Sequence, residues 1–157
     1  MRIGARHYRA ECLAVRAAVL TRRGDPAAAR DALQCALELY AAITADADVR
    51  ACHLLIADSW RQGGDLATAL ACVEAELPAL AEAGALDGAS ASLPARMALW
   101  RVLKAGGDAR APRQLELAVL EQQRQTEKIS AASARHRVLE GLALHREITA
   151  AWAARGG

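Results

Sequence analysis

The residues in this chain that could do chemistry are few and widely spaced. His136 and His145 stand nine positions apart on one helix-like stretch, which does not bring both imidazoles to one face at metal-binding spacing. His53 precedes an apolar run and reads as a satisfied histidine at a helix interface rather than a ligand. Asp46 and Asp48 flank a short turn, where capping explains them better than general acid–base work. The four cysteines, Cys12, Cys35, Cys52 and Cys72, form no C-x-x-C pair and lie among Ala and Leu. Reduced, buried thiols are therefore expected, not a disulfide framework or a zinc site. Trp60 and Trp152 read as core residues rather than platforms for stacked bases. No G-x-S-x-G, H-E-x-x-H, G-x-G-x-x-G or G-x-x-x-x-G-K-[ST] occurs. The expectation is a protein that is not an enzyme and has no metal or cofactor.

Charge narrows the partners. Residues 1–30 carry seven Arg against two acids, residues 31–92 ten acids against two Arg, and residues 93–157 eleven Lys and Arg against six acids. An acidic middle between basic ends favours stacking of neighbouring units or self-association. A nucleic-acid surface calls for a basic stripe with interleaved aromatics. Neither end has one, and aromatics are 3% of the chain with no Phe. Every apolar stretch is interrupted by charge before it could span a membrane. No apolar stretch of a secretory signal follows Met1 to Arg6, so the expected compartment is the cytoplasm.

The elements that carry these residues should all be helices. Alanine is abundant, hydrophobic residues make up 54% of the chain, and no run alternates β-branched with polar residues. Gly24-Asp25, Gly64-Asp65 and Gly107-Asp108 punctuate the sequence about every 40 residues. Glycine suits the left-handed end of a helix, and the aspartate caps the next one. The predicted architecture is all-α, one domain over 1–157, with about seven helices. Its hairpins cover about 5–43, 47–83 and 93–130, and a C-terminal helix covers about 131–154, bent at Gly141. Pro78 should kink or shorten the fourth helix. Residues 84–92 form a small, polar, mobile loop. The polar run Glu121 to Lys128 should extend past the packed body.

This punctuation resembles the tetratricopeptide repeat, a helix-turn-helix unit. After each Gly-Asp turn that family places small and large apolar residues at fixed intervals. The matching residues here are Ala29, Leu33, Ala36 and Leu37; then Ala69, Val73, Glu76 and Leu77; then Pro112, Glu116, Val119 and Leu120. Leu20, Trp60 and Leu103 match the large residue before the turn. Ala17 and Ala57 match the small residue three positions earlier, where Trp100 departs from the pattern and should splay the third hairpin or cover a gap. The long spacing is similar to the C-terminal repeats of large bacterial signalling ATPases and transcriptional activators. Ala98 to Ala109 looks like their penultimate hairpin, and Leu139 to Trp152 like their C-terminal signature, with Ala143 where that signature has Pro.

The resemblance implies a short right-handed solenoid with a C-terminal capping helix. In such arrays the first helix of each hairpin lines a concave groove. That geometry implies Glu11, Ala14, Ala18 and Arg22 from the first hairpin, Leu54, Asp58, Arg61 and Gln62 from the second, and Met97, Arg101 and Lys104 from the third. The partner-binding set is Arg22, Asp58, Arg61, Gln62, Arg101 and Lys104. Within it, Arg61, Arg101 and Lys104 would meet a carboxylate or an acidic peptide. The Lys and Asn clamp that some members use on a peptide C-terminus is missing, with Ala14 and Ala18 in its place, which disfavours a chaperone-tail receptor. The first helix starts almost at Met1 without a capping unit, so an upstream repeat, an upstream domain or a second copy should cover its apolar edge. The implied function is a non-enzymatic protein-interaction and regulatory module of bacterial signalling. It would bind a protein or peptide in the groove or through that edge. The alternative is a domain of a transcriptional regulator that senses a small-molecule inducer near Trp100 and the 84–92 loop.

Overall fold

Each Gly-Asp pair ends one helix and leads into the next in the computed structural model, which describes residues 3–81 and 84–155. Eight helices form: α1 (Ile3–Arg22), α2 (Pro26–Ala41), α3 (Asp46–Gln62), α4 (Leu66–Leu80), α5 (Ser92–Ala105), α6 (Ala111–Glu127), α7 (Ala132–Gly141) and α8 (Ala143–Ala154). No strand occurs among the described residues. Residues 82 and 83, at the expected end of the second hairpin, lie outside them, as do residues 1, 2, 156 and 157.

The three turns share one hydrogen-bond pattern. Gly24, Gly64 and Gly107 have φ of 79°, 89° and 67°, a left-handed backbone that glycine adopts without a Cβ clash. The following aspartate amide then donates back to the helix just ended: Asp25 to the Leu20 carbonyl at 3.0 Å, Asp65 to Trp60 at 3.0 Å, Asp108 to Leu103 at 2.9 Å. These 6→1 bonds satisfy carbonyls that a helix end otherwise leaves open. Asp25 and Asp65 also cap the next helix, accepting from Ala28 N at 3.0 Å and Thr68 N at 2.9 Å. The third copy differs, because Asp108 accepts from Arg110 N at 2.8 Å and α6 starts only at Ala111.

α1 packs along α2, α2 along α3, α3 along α4 and α5, α5 along α6, and α8 along α6 and α7. Two apolar clusters result. The smaller holds Ala10 and Ala17 of α1, Leu33, Ala36 and Tyr40 of α2, and Cys52 of α3. The larger runs from Leu54 and Val73 through Met97, Leu99, Trp100 and Leu103 to Leu115 and Ile148. Alanines at the crossings, such as Ala17, Ala29, Ala57 and Ala69, are buried and let the helix axes approach.

Several sequence expectations are corrected by this packing. The C-terminal segment is two helices, not one: Gly141 ends α7, and Leu142 is extended at φ −89° and ψ 126°. Arg146 Nη1 donates to the Glu140 and Gly141 carbonyls at 2.9 and 3.3 Å, which satisfies the broken end. The polar end of α6 does not leave the body. Glu121, Gln122 and Thr126 are buried because their partners are polar too: Ser92 Oγ donates to Glu121 at 3.1 Å, and Gln122 meets His145. The 84–91 segment is pinned, with Leu86 in the larger cluster. Its anchor is Asp48, which accepts from Ser90 N at 2.9 Å, so Asp48 ties down a loop and does not cap α3. α4 continues two residues past Pro78 before ending at Leu80. Of the cysteines only Cys52 is buried; Cys72 is half-buried, and Cys12 and Cys35 are exposed.

Candidate binding groove

α1 rests on α2, while α3 turns its other side to α4 and α5. Between these packed pairs an open groove of about 990 Å³ remains. α1 lines it with Glu11, Ala14, Ala17, Ala18, Thr21 and Arg22, and with Tyr8, Cys12 and Val15 at its edge. α3 contributes Leu55, Asp58 and Gln62, α5 contributes Pro94 and Arg101, and the start of α8 contributes Leu144, His145 and Glu147. The lining is mostly apolar because α1 presents small alanines where a longer side chain would close the gap.

The polar side of the groove is a charge network joining three helices. Asp58 is 4% exposed and accepts from Arg61 Nε at 2.6 Å, Gln62 Nε2 at 3.0 Å and Arg101 Nη1 at 3.1 Å. Arg101 also clamps Glu147 of α8 in two parallel bonds, Nε to Oε1 at 2.7 Å and Nη2 to Oε2 at 2.5 Å. Such a fork on a carboxylate is the strong form of this contact. Burial works against the Arg101 charge, but the Glu147 hydrogen bonds and the nearby Asp58 carboxylate outweigh it and hold its pKa above the ordinary guanidinium value. Next to this network His145 is buried. Gln122 Nε2 donates to the His145 carbonyl at 3.1 Å and lies 3.0 Å from Nδ1. Desolvation pushes the imidazole pKa down, and the Gln122 amide nitrogen, a donor, faces Nδ1 as its acceptor.

Of the six residues expected to bind a partner, Arg22, Asp58, Gln62 and Arg101 line the groove. Arg61 reaches it only through Asp58. Lys104 is exposed and does not line it; its ammonium sits 4.7 Å over the Trp100 ring. Leu54 and Met97 are fully buried instead of lining the groove. Arg61 and Arg101 are already met by Asp58 and Glu147, so these two cations and Lys104 do not form an open carboxylate clamp. Arg22 is the groove cation with no ion-pair partner among the described residues. Sequence reasoning missed α8 as part of this site. The only signal was the spacing of Leu144, Ile148 and Trp152, which marks an apolar face but not the helix it packs on. Trp100, proposed on sequence as a ligand position, is buried in the larger cluster and does not reach the groove.

Among the described residues no group of three His, Cys, Asp or Glu is arranged to hold a metal ion, and no helix is long and apolar enough to cross a membrane. No protein-family model matches the chain, and no curated protein and no solved structure matches it.

Proposed function

We infer that this chain is a tetratricopeptide-like solenoid and works as a non-enzymatic interaction module, in the manner of the regulatory repeats of bacterial signalling proteins in the cytoplasm. Three repeated turns with the same 6→1 bond, and helices that pack on their neighbours along the chain, support the repeat reading. One observation carries the functional reading. An apolar groove, open to solvent, separates α1 from α8, and its polar side is self-neutralised by Asp58, Arg61, Arg101 and Glu147. Such a surface suits the apolar side of a peptide or helix better than a free anion. Arg22 is left at the edge to meet a partner's acid.

Ala18 is exposed on the α1 side of the groove, and Ala18→Trp fills it without burying charge. Affinity capture from a bacterial lysate, with the native chain and this variant side by side, is the test. A protein held by the first and lost by the second is the expected result. Equal capture by both would sink the groove as the contact surface.

The groove's volume favours one second reading, a sensor of a small, mostly apolar ligand. Pockets for such ligands span about 300–1,000 Å³ with a few convergent polar groups. Ligand-dependent melting of the native chain that Ala18→Trp abolishes would select it.

A further inference from the structure

The repeat spacing aligns three helix faces that the fold treats differently. The 40-residue step from Gly24 to Gly64 carries Tyr8, Cys12, Val15 and Val19 of α1 onto Asp48, Cys52, Leu55 and Ser59 of α3. The 43-residue step to Gly107 carries those onto Ala91, Ala95, Ala98 and Val102 at α5. On α3, Asp48, Cys52 and Ser59 are buried, and Leu55 packs against the α1–α2 cluster. On α5, Ala95, Ala98 and Val102 are fully buried. On α1 the equivalent stripe faces solvent: Tyr8 is 69%, Val15 65% and Val19 37% exposed, and Cys12 is exposed with them. Their spacing of four, three and four puts all four on one face of the helix.

The helix that packs on the α3 copy shows what fits the α1 stripe. α2 lies along α3. It is rich in Ala and Leu, and it is acidic, with Asp31 and Glu38 against Arg30. By helical geometry Arg9 and Arg16 border the α1 stripe on its solvent side. Neither has an ion-pair partner among the described residues. A second copy of α1 laid on this stripe would set Arg against Arg, whereas an acidic helix would be attracted.

We propose that the outer stripe of α1 docks an acidic amphipathic helix of a partner protein, with Ala and Leu on its apolar face, in the place α2 takes on α3. This deepens the interaction-module reading and rests on its repeat register. The stripe shares the groove's α1 edge, since Tyr8, Cys12 and Val15 belong to both, and extends beyond it to Val19, Arg9 and Arg16, which do not line the groove.

The probe is a fluorescent synthetic peptide of residues 25–45 with Cys35→Ser, hydrocarbon-stapled to hold its helix, titrated with the full chain and read by anisotropy. Saturable binding is expected. Val15→Glu with Val19→Glu should weaken it by at least about tenfold, since both valines sit on the stripe. Arg9→Glu with Arg16→Glu should weaken it and flatten its salt dependence. Ala18→Trp should leave it unchanged. All four of the stripe and flank positions are exposed, so circular dichroism melts should match the native chain. No binding of the stapled peptide, or binding unaffected by the two valine changes, overturns the proposal. So does a dimer of the chain alone that those changes dissolve, because the occupant is then a second copy. The groove reading is judged separately by lysate capture with Ala18→Trp, so either can fail without the other.

Discussion

Arg101→Met removes the guanidinium that joins Asp58 of α3 to Glu147 of α8 and keeps an apolar stem in its place. Asp58, whose side chain is 5% exposed, keeps Arg61 and Gln62 but loses a charged donor. A hydrogen bond to a charged group contributes about 1.5–3 kcal/mol. Glu147 is 38% exposed and falls back into water, so its half of the clamp adds only about 0.2–1 kcal/mol. The expected loss is about 2–4 kcal/mol, roughly 5–15 °C in melting midpoint for a chain of this size. Glu147→Gln touches only the exposed half and should cost about 1 kcal/mol or less. Urea unfolding followed by far-ultraviolet circular dichroism measures both. Amide exchange should quicken in α8 of Arg101→Met and stay unchanged in α1, which packs on α2. Equal losses in the two variants, or a loss under about 0.5 kcal/mol for Arg101→Met, would refute the argument that Asp58's burial gives this network its weight.

Three further outcomes are expected. Ala29 is fully buried at the α1–α2 crossing, so Ala29→Leu should overpack it and cost about 1–3 kcal/mol, read as a lower melting midpoint. The folded His145 pKa lies below its unfolded value, so the unfolded chain takes up the proton first. Stability from this group is full above the unfolded pKa, about 6.5, and is lost as pH falls from there toward the folded pKa. His145→Gln should remove that part of the slope in pH-dependent urea midpoints, and an unchanged slope would refute it. A thiol reagent should label the exposed Cys12 and Cys35 quickly and leave Cys52 until unfolding, because desolvation, with Asp48 nearby, pushes its thiol up to about 12. Early labelling of Cys52 would place that part of α3 at the surface.

The helices and their turns were legible in the chain because their causes are local. Glycine at a left-handed position and an aspartate three residues before an open amide act within one turn of backbone, so Gly24-Asp25 and Gly64-Asp65 could be read directly. The polar end of α6 could not. Glu121 and Gln122 look like solvent residues until Ser92 and His145 arrive from helices distant in sequence. Asp48 looked like a cap for the same reason, since its partner, Ser90, is 42 residues away. The groove was half legible. A repeat register carried over from a resemblance reached Ala14, Ala18, Asp58 and Gln62, but it misplaced Leu54 and Met97, which rotate into the core.

Charge at the groove shows where that boundary falls. Composition and spacing alone determined an all-helical chain and the positions of its three turns, and the resemblance added a set of cations on the first helix of each hairpin. Whether those cations were available was decided only by tertiary structure. The break at Leu142 swings α8 back so that Glu147 meets Arg101, and a charge that looked ready for a partner is neutralised from within. The same packing buries the equivalently spaced stripe on α3 and α5 and leaves it exposed on α1. Burial depends on which helix comes to lie alongside, and no local pattern of residues encodes that.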